Sequence, residues 1–269
     1  MASIELGDVT LEVWDEGQGP AVLLLHGIPV RNLLWKGVVP PLVASGYRVI
    51  APDLAGFGCS DAADGVEIHV ANQAGWMLDL LDAFGIERAV VVGHDIGSGV
   101  AQIMAVRAPA RVRGLVLMDG VYAESWPVDA MTKIAGWDPA AAAKLFPLLV
   151  QRLPSTGTTT GVPEATVREL LAPYEGEAGG RRLLRMAQSL DSRHTVQILD
   201  ELRRLRPRAV LVWGDEDHFQ PFEEVGRPLA ALLGAEPRLL PGGHFLPLDR
   251  PVEVAEEIAR FAASLDAEV

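Results

Sequence analysis

The chain has 269 residues, and its 23 Lys and Arg against 36 Asp and Glu give a formal charge of −13. A composition of 49% hydrophobic and 22% charged residues excludes a disordered chain, and the length suffices for one large α/β domain or two small ones. The acidic balance excludes nucleic acid and an anionic membrane surface as partners, since both require clustered Lys and Arg.

We expect a cytoplasmic protein. The single cysteine, Cys59, allows no internal disulfide and is expected to be a packing residue. The first residues are acidic and alternating, without the basic and apolar regions of a secretory signal. No uncharged apolar run approaches the roughly 18 residues that a membrane span requires.

The first predicted strand is Ile4–Val13, where apolar and polar residues alternate as in a strand with one buried face. Five short apolar runs follow, and continuous Val and Leu are typical of parallel strands covered on both faces. These runs are Ala21–Leu25, Tyr47–Ala51, Ala89–Val92, Gly114–Met118 and Ala209–Trp213.

Helices are predicted between and after these strands, at Val70–Phe84, Gly97–Arg107, Phe222–Leu233 and Val252–Leu265. The alternation predicts right-handed βαβ units, and therefore an α/β fold with a mostly parallel central sheet flanked by helices. Residues 122–206 contain helical stretches broken by Pro and Gly and no predicted strand. We expect a core of residues 1–121 and 207–269 with a helical cap, or lid, at 122–206; the alternative is that these helices belong to the same domain.

The strongest motif lies where the strand Ala89–Val92 runs through Gly93-His94-Asp95-Ile96-Gly97 into a helix. Glycines on both sides of a central residue at a strand-to-helix turn are typical of a nucleophile elbow. Asp95 is the central residue, at a helix N-terminus that favours an anion. A carboxylate is a nucleophile without a base, and it can displace a leaving group from saturated carbon to form an alkyl-enzyme ester. The alternative role for Asp95 is that of a simple helix N-cap.

Two later turns supply partners for this aspartate. Asp217 follows the strand Ala209–Trp213, and His244 lies on a Gly-rich turn before the last helix. The order nucleophile, acid, histidine is the one that this elbow type uses. His244 would activate water, and Asp217 would hold its tautomer and support its charge.

A further turn, His26-Gly27-Ile28-Pro29, directly follows the strand Ala21–Leu25. We expect the N–H groups of Ile28 and Ile96 to point at a developing negative charge. Pro29 stiffens this turn, and His26 and His94 are expected to be structural.

Along nearly its whole length the chain resembles the α/β-hydrolase superfamily. His-Gly-x-Pro at 26–29 and Gly-His-Asp-x-Gly at 93–97 are similar to the branch with an aspartate nucleophile: epoxide hydrolases, haloalkane dehalogenases and haloacetate dehalogenases. The resemblance implies that Asp95 attacks carbon and that water activated by His244 hydrolyses the ester. The amides of Ile28 and Ile96 would hold the oxyanion. Asp217, in Gly214-Asp-Glu-Asp, fits the family loop better than the alternatives Asp119 and Asp215.

Departures from these families favour an epoxide hydrolase. Haloalkane dehalogenases usually carry Trp after the nucleophile and Asn within His-Gly-x-Pro, where this chain has Ile96 and Ile28. Haloacetate dehalogenases carry arginines on the elbow helix, and here the first is Arg107. An epoxide hydrolase needs acids in the cap to protonate the opening oxygen. The candidates are Tyr122, Tyr174 and His194, with Trp126 and Trp137 as alternative N–H donors to a halide.

The leading hypothesis is a cofactor-free epoxide hydrolase for a small apolar substrate, acting as a monomer or homodimer. No metal is expected, because His26, His94 and His244 lie in separate turns without metal-ligand spacing. The alternatives are a dehalogenase with the same nucleophile, a non-catalytic binding protein of the same fold, and an esterase or C–C hydrolase. The last would require Ser at the elbow, and Ser98 lies three residues further on.

Overall fold

The computed structural model describes residues 1–266, apart from the side chains of residues 154 and 155. In this part of the chain nine strands form one sheet. The strands are β1 (Ala2–Leu6), β2 (Val9–Glu16), β3 (Ala21–Leu25), β4 (Arg48–Pro52), β5 (Asp61–Ala62), β6 (Ala89–His94), β7 (Val112–Met118), β8 (Ala209–Gly214) and β9 (Glu236–Leu240). Their order is β1-β2-β4-β3-β6-β7-β8-β9, with β5 beside β2.

The helices of the described residues lie between and after these strands. They are α1 (Val39–Ala44), α2 (Val70–Ala83), α3 (Ile96–Arg107), α4 (Asp129–Ala135), α5 (Pro139–Ala143), α6 (Leu145–Thr156), α7 (Glu164–Leu171), α8 (Gly176–Gln188), α9 (Arg193–Val196), α10 (Leu199–Leu205), α11 (Arg227–Leu233), α12 (Leu246–Asp249) and α13 (Pro251–Ser264). Short 3₁₀ turns occur at Asn32–Trp35, Pro109–Arg111 and Ala172–Tyr174.

The predicted α/β architecture is confirmed. β3, β4 and β6 to β9 pair in parallel, and β1 and β2 add antiparallel strands at one edge. All five residues of β3 and all six of β6 are buried, as expected for strands covered on both faces. Helices α2 and α3 pack against each other beside the sheet, while α1 packs on α13. The carboxyl ends of the parallel strands therefore meet at one edge, where βα loops come together.

The prediction of one strand at Ile4–Val13 is wrong. The chain reverses at Gly7-Asp8, so that Leu6 pairs with Val9 and two strands form a hairpin. Gly7 has φ +62°, a left-handed conformation that glycine adopts without steric cost. Alternation continues through both strands, and for this reason the pattern did not reveal the turn.

The predicted helix Phe222–Leu233 is also only partly correct. A π-helical turn occupies Phe222–Gly226, and α11 begins at Arg227. Four further elements outside residues 122–206 were not predicted: α1, β5, β9 and α12. β9 is an edge strand with mostly exposed side chains, so its sequence lacks the apolar run that marks the central strands.

Seven helices, α4 to α10, lie between β7 and β8. Within this segment α8 packs against α4 and α5, and α6 packs against α7. The division into a core and a separate cap stays a prediction. No helix among residues 1–266 combines the length and the apolar character needed to cross a membrane.

Candidate active site

The candidate site begins at the turn between β6 and α3. Asp95 occupies the apex with φ 52°, and its side chain is buried, with only 6% of the residue exposed. Such a φ is uncommon outside glycine and marks a strained turn. The neighbouring glycines make this turn possible: a Cβ on Gly97 would lie 2.7 Å from the carbonyl oxygen of His26. The local sequence thus forces one carboxylate to the carboxyl edge of the sheet.

The structure brings the three predicted residues Asp95, Asp217 and His244 together. Asp217 lies in the loop after β8, and its Oδ2 is 2.9 Å from Nδ1 of His244. The other ring nitrogen of His244, Nε2, is 3.7 Å from Oδ2 of Asp95. The backbone N–H groups of Phe219 and Gln220 donate to Oδ1 of Asp217 at 2.8 and 3.0 Å. Asp217 is therefore fixed by its own loop and holds the imidazole between two carboxylates.

The turn after β3 provides hydrogen-bond donors to Asp95. The N–H of Ile28 donates to Oδ1 of Asp95 at 2.9 Å. The N–H of Ile96 also favours the charged form of this carboxylate. Gly27 passes so close that a Cβ there would lie 2.8 Å from Cγ of Asp95. The peptide bond between Ile28 and Pro29 is cis.

Burial and neighbouring charges shift the pKa values in this cluster. Burial raises the pKa of Asp95, and the charge of His244 and the N–H groups of Ile28 and Ile96 offset only part of that effect. Burial alone would lower the pKa of His244, but the Asp217 carboxylate and the charge of Asp95 outweigh burial and raise it. For Asp217, burial acts against ionisation, yet the charge and hydrogen bond of His244 lower its pKa.

His26 and His94 form hydrogen bonds with the backbone of the loops that carry the site. Nδ1 of His26 donates to the carbonyl of Gly27 at 2.8 Å, and its Nε2 accepts from the N–H of Leu54 at 2.9 Å. Nε2 of His94 donates to the carbonyl of His244 at 2.7 Å. Burial lowers the pKa of both rings, that of His94 to about 3. Both are therefore neutral residues that position the loops after β3 and β9.

Asp95 and His244 open onto a cavity of about 340 Å³. Its walls are mostly aliphatic and come largely from α4 and α6, with Met131, Ile134, Leu145, Leu149 and Leu153 among them. Phe219 lies at one side, its ring edge-on to that of His244 with centroids 5.3 Å apart. Arg152 and Thr156, also from α6, add polar groups at exposed positions.

None of the five side chains predicted to act from the cap lies on this cavity. Tyr174 is fully buried elsewhere: its hydroxyl accepts from the N–H of Gly58 at 3.3 Å and contacts Sδ of Met186. Burial raises the pKa of Tyr174, which makes it a poorer proton donor. Nε1 of Trp126 donates to Oγ1 of Thr195 at 3.0 Å.

The remaining three candidates have other surroundings. The ring of His194 stacks on that of His69 at 4.1 Å between centroids. Trp137 is 40% exposed at the surface, and Tyr122 is a partly buried residue beside the core. None of these three side chains lines the cavity, and their role toward a substrate stays a prediction. Sequence alone does not show which face of a helix or turn meets the core.

Gln220, which is not among the predicted site residues, lines the cavity and is 2% exposed. Its position three residues after Asp217 in a loop at the strand edge was the available signal. Asp119, the alternative acid, is fully buried, and burial raises its pKa well above the ordinary value. Its Oδ1 accepts from the N–H of Gly214 at 2.7 Å. Within residues 1–266 no three His, Cys, Asp or Glu side chains form a group that could hold a metal ion.

Fold and site together define a hydrolase with an acidic residue at the elbow. The chain belongs to the α/β-hydrolase family, whose model, described as alpha/beta hydrolase fold, matches residues 20–251. A structure of an alpha/beta hydrolase fold protein from Burkholderia ambifaria superposes with a TM-score of 0.84 over 96% of both chains, at 22% identity.

Three curated proteins are similar to this chain in sequence. An uncharacterised protein of Mycobacterium tuberculosis is 32% identical over 263 residues, 91% of this chain and 76% of the relative. Haloalkane dehalogenase 2 of the same organism is 28% identical over 258 residues, 91% of this chain and 88% of the relative. Epoxide hydrolase 2 of Siraitia grosvenorii is 36% identical over 141 residues, 51% of this chain and 45% of the relative.

Proposed function

We propose that this hydrolase cleaves a small apolar molecule at a saturated carbon through an ester on Asp95. One observation carries the proposal. A buried carboxylate at the elbow accepts the N–H of Ile28 on Oδ1, while its Oδ2 lies 3.7 Å from His244 at the end of an apolar cavity. Serine would be needed there for attack on an ester carbonyl, whereas a carboxylate suits displacement at carbon.

In the first step Oδ2 of Asp95 attacks the carbon, and the leaving group departs with its electron pair. Oδ1, which already accepts the N–H of Ile28, becomes the carbonyl oxygen of the new ester. The ester carbonyl is thus formed inside the site that stabilises its later negative charge.

In the second step His244 removes a proton from water, and the resulting hydroxide attacks Cγ of Asp95. The tetrahedral intermediate then breaks its bond from Cγ to the alkyl-bearing oxygen, which takes the proton from His244, so that an alcohol departs and the Asp95 carboxylate and neutral His244 are restored. Forming the ester removes the charge of Asp95, which is one of the groups that raise the pKa of His244. The pKa of the imidazole therefore falls when the ester forms, so that the ring is neutral when a base is needed. Asp217 supports the positive charge that His244 then acquires, as their 2.9 Å contact suggests.

The leaving group we favour is a halide. An opening epoxide generates an alkoxide that requires a proton, and no tyrosine lies among the described residues that line the cavity. A halide departs as a stable anion and needs no acid. The relative named haloalkane dehalogenase 2 matches 91% of this chain, which agrees with this choice.

Epoxide opening remains the second candidate because of one observation. The elbow and the turn after β3 present Ile96 and Ile28, in place of the Trp and Asn that usually grip a halide in haloalkane dehalogenases. An epoxide hydrolase of this architecture would have to draw its proton from water in the cavity.

Intact mass of a His244→Asn variant tests the proposal. Asparagine keeps an N–H toward Asp217 but cannot act as a base, so the ester should accumulate. Bromohexane should add the mass of the reagent less hydrogen bromide, and epoxyhexane would add its whole mass. Peptide mapping should locate the adduct on Asp95, and an Asp95→Asn, His244→Asn double variant is the control. No adduct from either reagent would refute the mechanism and favour a non-catalytic binding protein.

A further inference from the structure

The cavity contains a third buried polar side chain. Among the described residues that line it, Asp95, His244 and Gln220 are both polar and buried, whereas Thr156 and Arg152 are exposed. The other lining residues are mostly aliphatic or aromatic. A hydrogen-bonding group on the substrate therefore has few partners inside this cavity.

The main chain of Gln220 is held firmly. Its N–H donates to Oδ1 of Asp217 at 3.0 Å, and its carbonyl accepts from Nε1 of Trp213 at 2.8 Å. The side-chain oxygen differs: Oε1 is buried and has no hydrogen-bond partner. A buried amide oxygen without a partner destabilises the fold, so Oε1 of Gln220 contributes no hydrogen bond to the stability of the loop.

The geometry points to the Gln220 amide as the donor to the departing atom, an inference that rests on the proposed function. Asp95 is the nucleophile and His244 is the base, so neither can hold the leaving atom. Gln220 is the remaining buried polar side chain on the described cavity wall, and its loop touches Asp217, at the same end of the cavity as the nucleophile.

The displacement of a halide by Asp95 requires no acid. The bond from Oδ2 of Asp95 to carbon forms as the carbon–halogen bond breaks, and the halide leaves with the electron pair. The amide N–H of Gln220 only donates a hydrogen bond to the growing negative charge, and no proton is transferred. The terminal NH₂ group of the Gln220 amide carries two N–H donors, and it is this group that supplies the hydrogen bond.

The test measures ester formation in the His244→Asn background, where the second step is blocked. Gln220→Met removes the donor and keeps the length of the side chain. We expect ester formation from bromohexane at saturating reagent to slow about 10- to 100-fold, the range for losing a hydrogen bond to a charged atom. The loss should be larger for chlorohexane, since chloride is the poorer leaving group and the stronger acceptor. The exposed residue Gln197, changed to Met, is the matched control.

A structural role would give a different result. Because the amide is unpartnered in the fold, Gln220→Met should leave the Tm unchanged or raise it. An unchanged rate of ester formation, or a change only in the reagent concentration giving half the maximal rate, would overturn the inference and leave the Asp95 mechanism standing. Absence of any ester in His244→Asn itself would overturn both.

Discussion

We expect the loop that carries His244 to depend strongly on Asp249. This buried carboxylate accepts the backbone N–H groups of Thr159, Thr160 and Gly243 at 2.8–3.1 Å, and the hydroxyl of Thr160 at 2.6 Å. It thereby ties the loop between β9 and α12 to the segment after α6. The perturbation is Asp249→Asn, which keeps the shape and removes the charge.

The expected loss of stability follows from how these hydrogen bonds are shared between the two carboxylate oxygens of Asp249. Oδ2 accepts from Gly243, and Oδ1 accepts from both groups of Thr160. An asparagine offers one oxygen, so at least one N–H is left facing an NH₂ group, and the remaining bonds lose their charge assistance. At about 1.5–3 kcal/mol for a hydrogen bond to a charged group, we expect Asp249→Asn to lower the free energy of unfolding by about 2–4 kcal/mol.

Urea denaturation at pH 7 provides the measurement. The control is Asp215→Asn, since Asp215 is exposed and accepts one N–H of the same loop, from Gly242 at 3.1 Å. We expect that control to stay within about 0.5 kcal/mol of the wild type. Equal unfolding free energies for the two variants would refute the reasoning about Asp249.

The pH dependence of the free energy of unfolding provides a second test of the Asp249 hydrogen bonds. Burial acts against ionisation of Asp249, but the hydroxyl of Thr160 and the N–H groups around it lower its pKa below the ordinary value. A carboxyl whose pKa is lowered by folding stabilises the protein above its unfolded pKa, and this contribution is lost as the pH falls through the folded value. The difference between wild type and Asp249→Asn should therefore be full at pH 7 and shrink below about pH 4.

Three further substitutions distinguish residues that take part in catalysis from residues that only support the fold. Tyr174→Phe should keep kcat and cost about 1 kcal/mol, because the N–H of Gly58 loses its acceptor; a hundredfold loss of kcat would instead make Tyr174 a proton donor. Asp119→Asn should keep activity, because burial raises the pKa of this carboxyl and an uncharged amide is a close substitute; more than tenfold loss would make Asp119 the supporting acid. Asp95→Asn should lower the pKa of His244, since the Asp95 carboxylate helps to raise it; an unchanged ring-proton titration by NMR would contradict this coupling.

The central sheet could be predicted because its strands are buried on both faces. β3 is an uninterrupted run of apolar residues, and its observed bounds, Ala21–Leu25, are those expected from the sequence. The edges could not be predicted in the same way. β9 exposes most of its side chains and contains Pro237, so nothing in its composition indicates a strand. It forms a strand because it pairs with β8.

The candidate site likewise has a part that the sequence predicts and a part that it does not. Asp95, Asp217 and His244 follow strands or precede a helix at the carboxyl edge of the sheet, and a local pattern suffices to place residues there. The cavity wall depends instead on how α4 and α6 lie over that edge, which no local pattern encodes. Tyr174 is a suitable acid by type, yet the packing of its turn directs the hydroxyl to Gly58.

Under the proposed function, the identity of the leaving group depends on how the cavity wall packs. In the proposed mechanism the elbow attacks carbon whichever group departs, because Oδ1 of Asp95 is held by the turn after β3 and Oδ2 is left to react. What departs then depends on whether the cavity wall offers an acid or only a neutral donor. In this chain the buried polar group available on that wall is the amide of Gln220, which can stabilise an anion but cannot protonate one. On the proposed mechanism the same elbow can therefore serve either reaction, and we expect the packing of the loop after β8 to favour one of them.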